Sequence, residues 1–236
     1  MNILKATLFG LFSLISAFAF AAGGAKCHLD DPQLDLTDKA ALQRGAKLYV
    51  NYCLGCHSLK YQRHSRMAQD LEIPVELVKE NLMFTADKIG EHMTIAMPEA
   101  DSAKWFGAAP PDLSLKSRVR GDDWLYTYLR TFYSDESRPW GVNNECFPDV
   151  GMPHVLAPLQ GVQVKGEDGQ LSIAKAGSMS VEQYDSAVRD LVSFMSYVGE
   201  PVQVERKTLG FWVIGFLLIL LVLTYLLKRE YWKDIH

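Results

Sequence analysis

The stretch that decides the fold is Cys53-Leu-Gly-Cys56-His57. Two cysteines three residues apart, followed at once by a histidine, form the spacing typical of covalent c-type haem attachment. The two thiols can form thioethers with the vinyl groups on one edge of a porphyrin, and the imidazole can then reach the iron. A redox-active disulfide would need a βαβ context, and a zinc site would need two more ligands close by. We therefore expect one covalently bound haem c, with His57 as its proximal ligand.

The second axial ligand decides what such a haem can do. An open position allows oxygen or peroxide chemistry, whereas a methionine thioether closes it and raises the reduction potential. Met152 lies in Gly151-Met152-Pro153, within a loop bracketed by prolines that restrict its motion. From the residues alone, Met152 is the leading candidate, and Met97, His92 and His154 remain open.

The two ends of the chain are apolar. Residues 1–21 carry only Lys5 and finish in Ala19-Phe20-Ala21, which predicts a signal peptide cut after Ala21, or alternatively an uncleaved anchor. Residues 208–227 contain no charge and would span ~30 Å as a helix, the thickness of the hydrocarbon core of a bilayer. Basic residues follow directly, which places the C-terminus in the cytoplasm.

These signals divide the chain into four parts. We expect a signal peptide over 1–21, a periplasmic c-type cytochrome domain over 22–205, a transmembrane helix over 206–228 and a cytoplasmic tail over 229–236. The composition is that of a globular protein, with 48% hydrophobic and 22% charged residues. The net charge of −4 argues against a nucleic-acid partner.

The exported part reads as mostly helical with long loops. The apolar spacing and the helix end signals predict helices over 38–52, 76–82, 86–96, 122–132 and 181–198. Thr37 is expected to cap the first of them, and Ser180-x-x-Gln183 forms a capping box before the last. Two short apolar runs around Glu167-Asp168-Gly169 predict a small β-hairpin, and residues 138–158 read as a loop rich in proline.

An ordered set of motifs then resembles a known family. The haem motif is followed by Ala109-Pro-Pro-Asp-Leu-Ser114, Arg118-x-Arg120, Gly151-Met152-Pro153, a capped helix and one C-terminal membrane helix. This order resembles the cytochrome c1 family. The resemblance implies a mostly α, class I cytochrome c-like haem domain, with Met152 as the distal ligand. It also implies Pro111 as a wall of the haem site and Arg120 as the partner of a haem propionate, although Arg120 read alone is an ordinary solvated charge.

The same resemblance implies a function and partners. Such a chain is the redox subunit of a quinol–cytochrome c reductase in the bacterial inner membrane, and it is not an enzyme on its own. It would assemble with cytochrome b, receive electrons from a Rieske iron–sulfur protein and pass them to a cytochrome c. Two rivals remain: a membrane-anchored mono-haem cytochrome that serves a terminal oxidase, and a haem enzyme or sensor with an open iron.

Two cysteines remain after the haem takes its thiols. Cys27 and Cys146 are then the one possible pair, and an exported chain folds in an oxidising compartment. We expect a Cys27–Cys146 disulfide, with two unpaired thiols as the alternative.

Overall fold

The computed structural model describes residues 27–233, so the expected signal peptide and the last three residues lie outside the described residues. The expected mostly α body is confirmed. In chain order, the helices are α1 (Lys39–Tyr52), α2 (His64–Asp70), α3 (Val75–Asn81), α4 (Glu99–Phe106), α5 (Lys116–Arg120), α6 (Asp122–Arg130), α7 (Ala157–Gln160), α8 (Val181–Gly199) and α9 (Gln203–Tyr231). The strands are β1 (Leu59–Arg63), β2 (His92–Met93), β3 (Phe132–Ser134), β4 (Val142–Asn144), β5 (Gly161–Lys165) and β6 (Leu171–Ala176).

The packing of α1 against α8 forms the centre of the core. A Cβ added at Gly45 would lie 2.1 Å from the carbonyl oxygen of Asp190, so only glycine allows the two helices to approach this closely. Beside this crossing, Arg44 Nε lies 2.6 Å from a carboxylate oxygen of Asp190. The buried rings of Tyr49 and Phe194 meet with centroids 5.8 Å apart. Helix α1 is thereby fixed just before the haem motif begins.

The ends of the two core helices follow local side-chain chemistry. The capping box predicted before α8 is confirmed, since the amide of Gln183 donates to Ser180 Oγ at 3.3 Å and the amide of Ser180 donates to Gln183 Oε1 at 2.9 Å. The cap predicted for α1 is wrong by one residue. Asp38, and not Thr37, accepts a hydrogen bond from a first-turn amide, and Thr37 instead donates to Asp35.

The helix predicted over 86–96 is wrong. This segment contains β2, which pairs antiparallel with β1, and Met93 in β2 is completely buried. Pro98 occupies the N-cap position of α4, a helix that was not predicted from the sequence. A proline has no amide hydrogen, which costs nothing where a helix begins because the first amides lack partners within the helix.

The strands form three two-stranded antiparallel ladders, β1–β2, β3–β4 and β5–β6. The predicted hairpin is confirmed as β5–β6, with Lys165 opposite Leu171 at its closed end. The segment 138–158, expected to be loop throughout, contains β4 and the start of α7. Residues 142–144 form a strand because they pair antiparallel with β3, which ends eight residues earlier in the chain.

Helix α9 contains the whole of the expected transmembrane segment 206–228 and extends beyond it at both ends. Among the described residues it is the one helix long and apolar enough to cross a membrane, and none of its residues is buried. Glu200, just before α9, pairs with Arg206 at 2.5 Å and lies 3.7 Å from Arg118 in α5. These ion pairs connect the base of the helix to the body.

Candidate haem site

The two cysteines of the motif lie in a tight turn at the end of α1. Cys53 follows the last residue of the helix, and its amide donates to the Tyr49 carbonyl at 2.8 Å. The amides of Cys56 and His57 then donate to the Cys53 carbonyl at 3.0 and 2.9 Å. Neither thiol forms a disulfide. Cys53 is buried, with 9% of its surface exposed, and Cys56 is partly buried. Burial raises the pKa of the Cys53 thiol to about 12, which favours the neutral thiol as long as no haem is attached.

His57 is held with one ring nitrogen engaged. Its Nδ1 lies 2.7 Å from the carbonyl oxygen of Pro111, and because a carbonyl only accepts, Nδ1 carries the proton and donates. The other nitrogen, Nε2, is then unprotonated and has a lone pair for a metal, which is the usual arrangement of a ligating histidine. The hydroxyl of Tyr49 donates to the His57 backbone carbonyl, which fixes the residue from α1. Burial lowers the pKa of His57, which favours the neutral ring that a ligand needs.

The loop that carries Pro111 is tied to β1. Asp112 accepts the amide of Lys60 at 2.8 Å with one carboxylate oxygen and the amide of Ser114 at 2.9 Å with the other. One carboxylate therefore joins the loop to the strand that leaves the haem motif. This tie positions the Pro111 carbonyl beside His57.

Met152 is partly buried and has a defined partner. The hydroxyl of Tyr128 lies 3.4 Å from Met152 Sδ and donates to it. Burial raises the pKa of Tyr128, so the phenol keeps the proton that it donates. Tyr128 in turn stacks on Trp124, one helical turn earlier in α6, with ring centroids 4.8 Å apart. The thioether therefore has a fixed direction even though it lies in an irregular loop.

The other candidates for the distal position have different surroundings. The His154 ring stacks on Phe132 with centroids 4.8 Å apart, and burial lowers its pKa to about 4. Within residues 27–233, its buried Nε2 has no hydrogen-bond partner. His92 belongs to β2, and Met97 is partly buried in the segment between β2 and α4. Met152 differs from them in that its sulfur accepts a hydrogen bond from a tyrosine of α6.

Arg120 is exposed at the end of α5. Its guanidinium lies 5.0 Å from the ring centroid of Trp124 and 5.9 Å from that of Phe147. Trp124 is thus the aromatic residue beside Arg120, whereas the ring of Tyr126 lies under Arg130, with its centroid 4.5 Å from the guanidinium.

The expected disulfide is present and connects the N-terminal segment to the loop before Met152. Cys27 and Cys146 are bonded with their Cα atoms 4.9 Å apart, across 119 residues of sequence. The amide of Cys146 donates to Asn144 Oδ1 at 2.9 Å, which holds the cysteine at the end of β4. The bridge thus restrains the chain six residues before Met152.

The sequence reading missed two residues of the site, Tyr128 and Asp112. A signal for Tyr128 existed, because it lies four residues after Trp124 and so on the same face of a helix. Asp112 follows two prolines, where a carboxylate often accepts backbone amides, but nothing in the sequence indicates that one of those amides belongs to Lys60.

Comparisons with known proteins identify a family for the chain. The family model described as the Cytochrome C1 family matches residues 31–235. A protein named cytochrome c1 from Allochromatium vinosum is 46% identical over 99% of this chain and 100% of its own length. A protein named ammonia monooxygenase gamma subunit from Nitrosomonas europaea is also 46% identical, over 100% of both chains. A chain from a solved structure titled hyperthermophilic respiratory complex III covers 98% of both chains, with 17% identity and a TM-score of 0.48.

The side chains fit the group that this family carries, a covalently attached c-type haem. Two free thiols stand three residues apart, and a histidine directed by a carbonyl offers its Nε2. A thioether is available on a separate loop. The family model matches most of the chain and the first of these relatives matches nearly all of it, so the chain belongs to the cytochrome c1 family.

Proposed function

We propose that this chain carries electrons from a Rieske iron–sulfur protein to a cytochrome c through one haem c ligated by His57 and Met152. Its family membership makes it an electron-transfer subunit of a cytochrome bc1 complex. The observation that supports the finer assignment is the hydrogen bond of 2.7 Å from His57 Nδ1 to the Pro111 carbonyl. This bond leaves Nε2 free for iron, and the two free thiols lie just before His57 in the sequence.

Each site residue then has a task. Cys53 and Cys56 would hold the haem by thioether bonds, and the tight turn after α1 keeps both thiols on one short segment. His57 and Met152 would bind the iron from two separate segments of the chain. When bound, the haem supplies reversible one-electron exchange, and a methionine ligand favours a high reduction potential. The chain does not make or break substrate bonds; it holds and tunes the redox group.

Near the loop of Met152, Arg120 supplies a positive charge and Trp124 supplies a flat apolar surface. The guanidinium of Arg120 is fixed over the indole of Trp124, and the indole is stacked on the Tyr128 ring whose hydroxyl contacts Met152. We assign Arg120 to the negative charge of a haem propionate. A cation stacked on an aromatic ring keeps its hydrogen-bond donors free for a carboxylate.

The membrane helix sets the location and the partners. As a member of this family the chain is a membrane-anchored subunit with one C-terminal apolar helix. We assign the haem domain to the periplasm and the C-terminus to the cytoplasm, because Lys228, Arg229 and Lys233 follow the apolar run directly. This arrangement keeps the body beside cytochrome b, where the Rieske protein and a cytochrome c can both reach it.

Purification of the gently solubilised, haem-stained complex tests the proposal. We expect cytochrome b and a Rieske protein to copurify with the chain, and the oxidised protein to show the charge-transfer band of thioether ligation to ferric haem. Copurification with a terminal oxidase instead would support the anchored mono-haem rival. Rapid binding of carbon monoxide to the reduced native protein would show an open iron and overturn the assignment of Met152.

A further inference from the structure

A cavity lies where the body meets α9. It has a volume of about 390 Å³ and is bounded by the segment before α1, the start of α6, the end of α8 and the first turns of α9. We call it the junction cleft and define it by five of its lining residues: Asp122, Ser196, Lys207, Thr208 and Phe211. None of the haem-site residues lines it.

Asp122 lines the junction cleft and has one acceptor oxygen that is not used. Its Oδ2 accepts the hydroxyl of Ser196 at 2.9 Å. Its Oδ1 is buried and has no hydrogen-bond partner within residues 27–233. Burial raises the pKa of Asp122, and the charge of Lys207 works in the opposite direction. A buried carboxylate oxygen without a donor is costly, so a ligand that brings a hydrogen-bond donor or a cation would be stabilised here.

Lys207 presents the opposite charge at the rim. It is exposed, and among residues 27–233 its charge acts on the carboxylates of Asp122 and Glu200 without a direct ion pair. The uncharged run 208–227 begins at the next residue, so in a membrane we expect Lys207 at the depth of the lipid headgroups. One turn further along α9, the side chain of Phe211 is 79% exposed at the depth where acyl chains begin.

We propose that the junction cleft binds phosphatidylethanolamine. The primary ammonium of this lipid would donate to the Asp122 carboxylate, its phosphate would accept from Lys207, and an acyl chain would lie along Phe211. Phosphatidylcholine presents the same charges, but its quaternary ammonium has no hydrogen to donate. Phosphatidylglycerol offers only neutral hydroxyl donors and no cation to balance the charge of the Asp122 carboxylate. The proposal is independent of the haem ligands, since no residue is shared between the two sites.

Native mass spectrometry of the intact holo-complex, delipidated and then supplied with one dioleoyl lipid at a time, tests the proposal. We expect phosphatidylethanolamine to bind more tightly than phosphatidylcholine by at least about tenfold, the worth of one charge-assisted hydrogen bond. Asp122→Asn should remove most of this preference while the haem spectrum stays unchanged. Lys207→Gln should weaken both lipids to a similar extent, because both present a phosphate.

Lys228→Gln, at the other end of α9, is the matched control and should leave the preference unchanged. Equal binding of the two lipids would overturn the proposal, as would a preference that survives Asp122→Asn. If cytochrome b fills the junction cleft in the complex, no lipid is retained there and both cleft variants loosen the subunit contact instead. That result would also overturn the proposal.

Discussion

Removing the hydroxyl of Tyr128 should lower the reduction potential of the haem. In the structure this hydroxyl donates to Met152 Sδ at 3.4 Å. A hydrogen bond to the thioether withdraws electron density from sulfur, which weakens its donation to ferric iron and so favours the reduced state. Tyr128→Phe removes the bond while leaving the ring stacked on Trp124.

The magnitude follows from the strength of the lost bond. A neutral hydrogen bond is worth about 0.5–1.5 kcal/mol net. For a one-electron couple a tenfold change in equilibrium, about 1.4 kcal/mol, corresponds to about 59 mV. If the bond strengthens one oxidation state only, Tyr128→Phe shifts the potential downward by ~20–60 mV. A bond that is equally strong in both states would give no shift.

Redox titration of the purified holoprotein measures this shift, with the thioether charge-transfer band as a second readout. Tyr126→Phe is the matched control, because that ring lies under Arg130 at 4.5 Å and belongs to the same helix. It should leave the potential unchanged. An unchanged potential in Tyr128→Phe, or equal shifts in the two variants, would refute the reasoning.

Three further outcomes are expected. Met152→Leu should lower the potential sharply and let the reduced haem bind carbon monoxide; an unchanged potential would show that another residue is the ligand. Gly45→Ala should destabilise the fold by ~1–3 kcal/mol or more in thermal melts, because its Cβ would lie 2.1 Å from a carbonyl oxygen of α8, whereas Gly90→Ala meets nothing within 4 Å. Serine at both Cys27 and Cys146 should cost up to ~4–5 kcal/mol in denaturant unfolding, since the bridge closes 119 residues, and should leave the haem bound.

The elements that the sequence predicts well are those controlled by nearby residues. The capping box at Ser180 and Gln183 predicts the start of α8 because both bonds lie within four residues. The hairpin β5–β6 is predicted for the same reason, since its turn lies between its own two strands. The haem motif is likewise local, with all three of its functional residues within five positions.

The features that the sequence does not predict depend on distant partners. β2 exists because β1 pairs with it from about thirty residues earlier, and the helical pattern around Met93 gives no sign of this. Asp112 acts on Lys60, 52 residues away, and Tyr128 acts on Met152, 24 residues away. Long-range contacts of this kind override local propensity, and a single sequence contains no measure of them.

The ion pairs of Glu200 restrict how the body can move relative to α9. Only three residues separate α8 from α9. One of them, Glu200, forms ion pairs with Arg206 in α9 and with Arg118 in α5. A connection this short, held by two ion pairs, limits tilting of the body relative to α9. The haem site would then stay at a nearly constant height above the bilayer, so an electron donor or acceptor at a different height would have to move to reach it.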